Sequence, residues 1–89
     1  MARVVFTSNL QRHVRCPESR VAPGTVASAL AEVFAAQPWA RSYVLDEQGQ
    51  LRRHVTVFVD GTRVRDRDRL SDPVGESSEV YVMQALTGG

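Results

Sequence analysis

Apolar and polar positions along this chain follow two different periods. Residues 2–7, with Val4, Val5 and Phe6, read as a first strand, and residues 79–85 and the run Val55-Thr56-Val57-Phe58-Val59 send successive side chains to opposite faces. Alternation with a period of two predicts half-buried β-strands. In the third run it sends Val55, Val57 and Val59 to one face and Thr56 and Phe58 to the other. In the last it sets Val80 and Val82 against Tyr81 and Met83. A further strand is predicted over 13–21, with Val14 and Cys16 on one face. Pro17 lacks a backbone donor, so that strand belongs at an edge or carries a bulge.

One stretch has a helical period instead. Val26, Ala29, Leu30, Val33 and Phe34 form a single apolar stripe, which predicts a helix from Val26 to about Gln37. Thr25 supplies an N-cap hydroxyl, and Pro38 stops the helix. Residues 8–11 and 46–50 have turn chemistry, and Asp60-Gly61 is a favoured hairpin pair. Residues 39–45 are expected to be a short connection, with a short strand around 63–65. Residues 65–78 are expected to be irregular and anchored by Leu70 and Val74. The order strand, strand, helix, strand, a short strand and strand predicts an α+β roll with one helix across one face. The other sheet face, with Phe58, Tyr81 and Met83, is then open for a partner.

Composition narrows the function. The chain has 89 residues, 43% of them apolar, enough for one domain with a modest core. We place that domain at 1–85, with residues 86–89 as a tail. No apolar run is long enough for a membrane span or a secretion signal, so the expected location is the cytoplasm. Net charge is +1, which gives no bulk case for nucleic acid. All eleven basic residues are arginine. The alternating Arg65-Asp66-Arg67-Asp68-Arg69 run is nearly neutral and reads as solvated loop charge. A single cysteine, Cys16, excludes an internal disulfide framework and reads as a small apolar residue. His13 and His54 belong to no cluster with metal-ligand spacing, and no metal site is expected. No Ser/His/Asp arrangement is visible, so the chain is not expected to be an enzyme.

The chemistry lies at the end of the chain, which reads Ala85-Leu86-Thr87-Gly88-Gly89. Glycine loses the most backbone freedom on ordering, so Gly-Gly does not stabilise a strand end. It makes a thin peptide that fits a narrow cleft and leaves its carboxylate unhindered. With residues 51–61, Leu70-Ser71-Asp72-Pro73-Val74, Glu79-Val80 and Pro23-Gly24-Thr25-Val26, this tail resembles the β-grasp, ubiquitin-like fold, with a mixed sheet. Within that fold the chain is similar to the bacterial sulfur carriers. These are the small subunit of molybdopterin synthase, the thiamine sulfur carrier and the carrier of cysteine synthesis.

The resemblance implies a carrier rather than an enzyme. A partner related to ubiquitin-activating enzymes would use ATP and Mg to adenylate the Gly89 carboxylate. A sulfur donor would then convert it to a thiocarboxylate, for use by a sulfur-accepting biosynthetic enzyme. Leu86, Thr87 and Gly88 would thread into the partner's active site, and no cofactor would be bound by the chain itself. Two other readings share these residues. One is a protein modifier joined through Gly89 to lysines of other proteins. The other is an interaction domain whose tail is idle. Gln84-Ala85-Leu86-Thr87 differs from the tail approach usual in molybdopterin synthase relatives, and the thiamine carriers are usually shorter. The pathway is therefore left open.

Overall fold

A computed structural model describes residues 1–7 and 18–84. The expected turn at 8–11, the readings of His13, Val14, Cys16 and Pro17, and the tail from Ala85 to Gly89 lie outside those residues.

The main sheet is built from β1 (Ala2–Phe6), β2 (Ser19–Val21), β4 (Val55–Val59), β5 (Thr62–Arg63) and β7 (Glu79–Gln84). Its order is β2-β1-β7-β4-β5. The pair β1 and β7 is parallel, and the other neighbours are antiparallel, so the sheet is mixed as expected. The chain's last described strand is therefore central, hydrogen-bonded on both sides. A separate ribbon joins β3 (Gly24–Thr25) to β6 (Pro73–Val74). The sequence shows no period there, because two-residue strands are too short to display one.

Alternation assigns the faces. Across the three central strands, Val4, Val80 and Val59 share one row, and Phe6, Val82 and Val57 the next. Helix α1 (Val26–Ala36) lies on this side and contributes Val26, Ala29, Leu30, Val33 and Phe34 to the core. All five residues of its predicted stripe are buried.

The start of α1 shows how its unpaired N–H groups are satisfied. Val26 and Ala27 donate to the carbonyls of Asp72 (3.0 Å) and Leu70 (2.9 Å). Ser28 donates to the Thr25 hydroxyl at 3.1 Å, and the Ser28 hydroxyl accepts from the Thr25 N–H at 3.0 Å, closing a capping box. The helix ends at Ala36, two residues before Pro38.

The connection expected over 39–45 is helical instead. A 3₁₀ turn (Pro38–Ala40) runs into a one-turn helix α2 (Arg41–Val44), which buries Ala40 and Val44. Proline is compatible with the first position of a helical turn, so it ends one helix and opens the next. The Asp60-Gly61 hairpin turn forms as predicted, with both residues at positive φ (50° and 83°) and Val59 paired to Thr62. The short strand occupies Thr62–Arg63 rather than 63–65. Val64 turns inward, is buried and donates to the Val57 carbonyl at 2.8 Å.

Candidate functional site

The candidate site has two described parts, the sheet face away from α1 and the end of the sheet where β7 stops. On the face, strand register places Val5 beside Tyr81 and Tyr81 beside Phe58, with Met83 beside Thr56 in the next row. Side chains directly opposite in a ladder share a face. Phe58, Tyr81 and Met83 are thus neighbours in one apolar cluster, and all three are half-buried. Thr56 is expected on the open face with them but is only 6% exposed, and its hydroxyl has no hydrogen-bond partner among the described residues. The face is therefore partly covered rather than fully solvated.

A polar rim closes the cluster at the start of β7. Arg3, the register partner of Glu79, forms an ion pair with its carboxylate, and also pairs with Glu18 at 3.1 Å. All three side chains are well exposed, so these pairs fix geometry more than they add stability.

At the other end, Gln84 is the register partner of Val55. The exposed run Arg52-Arg53-His54 immediately precedes Val55, so folding puts two arginines and a histidine beside the point from which the C-terminal residues continue. Sequence reasoning gave these residues no role, since their nearness to the tail depends on strand pairing. Arg67 organises this end. Instead of being solvated loop charge, it is half-buried and donates to the carbonyls of Arg52 (3.0 Å) and Val55 (2.9 Å). Arg52 in turn donates to the Ser42 carbonyl at 2.6 Å.

Aspartates hold the loops around the sheet. Asp60 accepts from the Glu79 N–H at 2.9 Å and from the Ser78 hydroxyl at 2.8 Å, tying the hairpin turn to the start of β7. Asp66 accepts from the N–H groups of Asp68 and Arg69 and from the Ser71 hydroxyl. Asp72 accepts from the N–H groups of Arg65 and Asp66. Backbone donation is the leading cause that holds each carboxyl below the ordinary value of 3.8, helped by the hydroxyls at Asp60 and Asp66.

This gives a signed pH dependence. The unfolded chain takes up these protons before the folded chain does, so the contribution is fully present above 3.8 and is lost as pH falls below it. Urea unfolding should show this contribution holding from neutral pH to about pH 5 and then falling toward about pH 3. The slope should be shallower in Asp60→Asn and Asp66→Asn chains. An unchanged slope in those chains would count against the assignment.

Among the described residues, no three His, Cys, Asp or Glu side chains gather as a metal site, and no helix is long and apolar enough to cross a membrane.

No family model matches the chain, and no curated protein matches it significantly in sequence. Solved structures do. SAMP1 from Haloferax volcanii superposes with a TM-score of 0.78 at 22% identity, covering 99% of this chain and 98% of that one. CysO in the Amycolatopsis orientalis BexX/CysO complex gives 0.80 at 20% identity, with all of both chains covered. CysO from Mycobacterium tuberculosis gives 0.79 at 18% identity, covering 97% and 100%. The element order, the central C-terminal strand and these full-length superpositions establish that the chain has the β-grasp, ubiquitin-like fold.

Proposed function

We propose that this protein is a ubiquitin-like sulfur carrier whose Gly89 carboxylate is activated by a partner enzyme and converted to a thiocarboxylate. The observation that carries the reading is the central placement of β7, whose chain continues to Gly88-Gly89. A strand held on both sides is a rigid base from which a side-chain-free terminus can be presented.

The chemistry follows from the carboxylate. It is a poor electrophile, so a Gly89 oxygen first attacks the α-phosphorus of ATP and pyrophosphate leaves. Hydrosulfide, or a donor that delivers it, then attacks the acyl carbon of the mixed anhydride, and AMP leaves. The product is a thiocarboxylate, soft and nucleophilic, which spares the cell free sulfide. The chain contributes positioning and no acid–base group. Leu86, Thr87 and Gly88 thread into the activating enzyme. Phe58, Tyr81 and Met83 form the apolar contact on the sheet face, and Arg53 and His54 flank the tail's origin. ATP and Mg belong to the partner, an adenylyltransferase related to ubiquitin-activating enzymes. A biosynthetic enzyme then takes the sulfur. The complex of BexX with the structurally similar CysO supports a carrier that works by docking to another protein.

Intact-mass measurement after incubation with ATP, an activating enzyme and sulfide tests the reading. The expected product has one terminal oxygen replaced by sulfur and reacts with a thiol-trapping reagent. A Cys16→Ser chain removes cysteine oxidation as a source of similar mass. The product should be absent from a chain lacking Gly89, and an adduct that survives this deletion would overturn the proposal. A Tyr81→Ser chain should raise the concentration of carrier needed for half-maximal activation while leaving the maximal rate near that of the parent. An unchanged requirement would remove the sheet face from the contact.

A second reading has a specific observation behind it, since three of the similar structures are small archaeal modifier protein 1. As a modifier, Gly89 would form an isopeptide bond with lysines of other proteins. This chain contains no lysine, so it could not extend such conjugates through its own side chains. Thiol-resistant adducts on target lysines, without a trappable sulfur product, would select this reading.

A further inference from the structure

On the helix side of the molecule, away from the sheet-face cluster, a groove of about 430 Å³ runs beside α1. Buried Leu30, Phe34 and Leu70 contribute apolar surface to its floor. The exposed alanines Ala27, Ala31 and Ala35 line its helical wall, one per turn. Their spacing of eight residues makes the wall about 12 Å long. With nothing larger than a methyl group on that flank, another backbone can lie close against it.

Two guanidinium groups border this apolar strip. Arg69 adjoins Leu70, whose carbonyl holds the start of α1, and Arg41 opens α2 just beyond the end of α1. Both are exposed, and neither makes an ion pair among the described residues. Arg3, Arg52 and Arg67 are engaged with carboxylates or backbone carbonyls, and of the arginines without an ion pair among the described residues only Arg41 and Arg69 line the groove. The groove thus combines an apolar floor with two cations that make no ion pair among the described residues.

We infer that this groove docks a short acidic and apolar segment of a partner protein, about two helical turns long. Its apolar side chain seats over Leu30 and Phe34, and its carboxylates pair with Arg41 and Arg69. Arginine favours carboxylates through paired N–H donors. A second copy of this chain is the poorer occupant, because a symmetric contact would bring the same arginines together. The site lies on the opposite side of the sheet from Phe58, Tyr81 and Met83. A partner held here leaves that face available, so the inference stands independently of the carrier chemistry.

The probe is a phage-displayed library of random dodecapeptides panned against the full chain. Enriched peptides would then be synthesised, titrated calorimetrically and mapped by amide chemical shifts. They are expected to share an apolar residue flanked by Asp or Glu and to shift Ala27, Ala31 and Arg69. An Arg41→Gln, Arg69→Gln chain should bind them roughly tenfold more weakly or worse. The Arg41→Lys, Arg69→Lys chain should recover part of that loss. Ala31→Phe, which fills the groove from an exposed helical position, should abolish binding without changing the circular dichroism. Peptides without carboxylates, peptides that map to the sheet face, affinity indifferent to both substitutions, or no binding peptide at all would each overturn the inference. So would a concentration-dependent dimer that is lost in the Ala31→Phe chain, since the occupant would then be a second copy.

Discussion

A Gly88→Val chain is expected to melt with the parent and to be adenylated about 10²-fold more slowly or worse. The first half follows from where the core ends. Among the described residues the last buried side chain is Val82, and Gly88 lies beyond the last described pairing, Gln84 with Val55. The second half follows from the carrier reading. A branched Cβ thickens the peptide next to the reacting carboxylate and restricts its backbone to the extended region. An acyl carbon displaced by about an ångström from its attack geometry loses rate on this scale. Thermal unfolding and single-turnover adenylation, measured on one preparation, give the two numbers. A Gly88→Val chain activated at the parental rate would show that the tail is not threaded through a narrow cleft. A chain that melted earlier would show that the tail contributes to the fold.

Leu30→Ala has the opposite signature. Leu30 is only 1% exposed, at the centre of the α1 stripe and against the sheet core. Removing its branched end loses transfer free energy and leaves a cavity, together about 2–5 kcal/mol. A domain of this size unfolds with only about 5–15 kcal/mol in total. The substitution should therefore lower the melting temperature by roughly 10–30 °C. Sulfur loading at a temperature where the variant is still folded should be nearly parental, because Leu30 lies on the opposite side of the sheet from Phe58, Tyr81 and Met83. A fall of only a few degrees would mean that the site collapses around the smaller side chain. Loss of loading in the folded variant would mean that α1 communicates with the tail.

Particular residues show how far the sequence carried. The α1 stripe, the Thr25 cap, the Asp60-Gly61 turn and the alternation of the long strands were all legible, because each is set by neighbours a few positions away. The clustering of Phe58, Tyr81 and Met83 was half legible. Alternation gave their face, but only the antiparallel pairing of β4 with β7 made Phe58 and Tyr81 direct neighbours. Arg67 was misread as solvated, since nothing local shows that its guanidinium reaches the carbonyls of Arg52 and Val55. Arg53 and His54 gained their place beside the end of β7 in the same way. Leu70 is the sharpest case. It is 2% exposed and sits at a φ of 55°, a conformation that costs a non-glycine residue about 1 kcal/mol or more. Burial of its side chain and the bond from Ala27 to its carbonyl hold it there.

The sequence by itself therefore determined the helix α1, the long strands and their apolar faces, and it holds the Gly88-Gly89 pair on which the proposed function rests. Those properties depend on side-chain period, capping and the identity of two residues. Only the tertiary structure decided which strands meet, that β7 lies in the centre, and which charges surround the sheet end and the groove beside α1. Such contacts join residues far apart in the chain. Their free energy comes from burial and pairing that exist only once the whole core has closed.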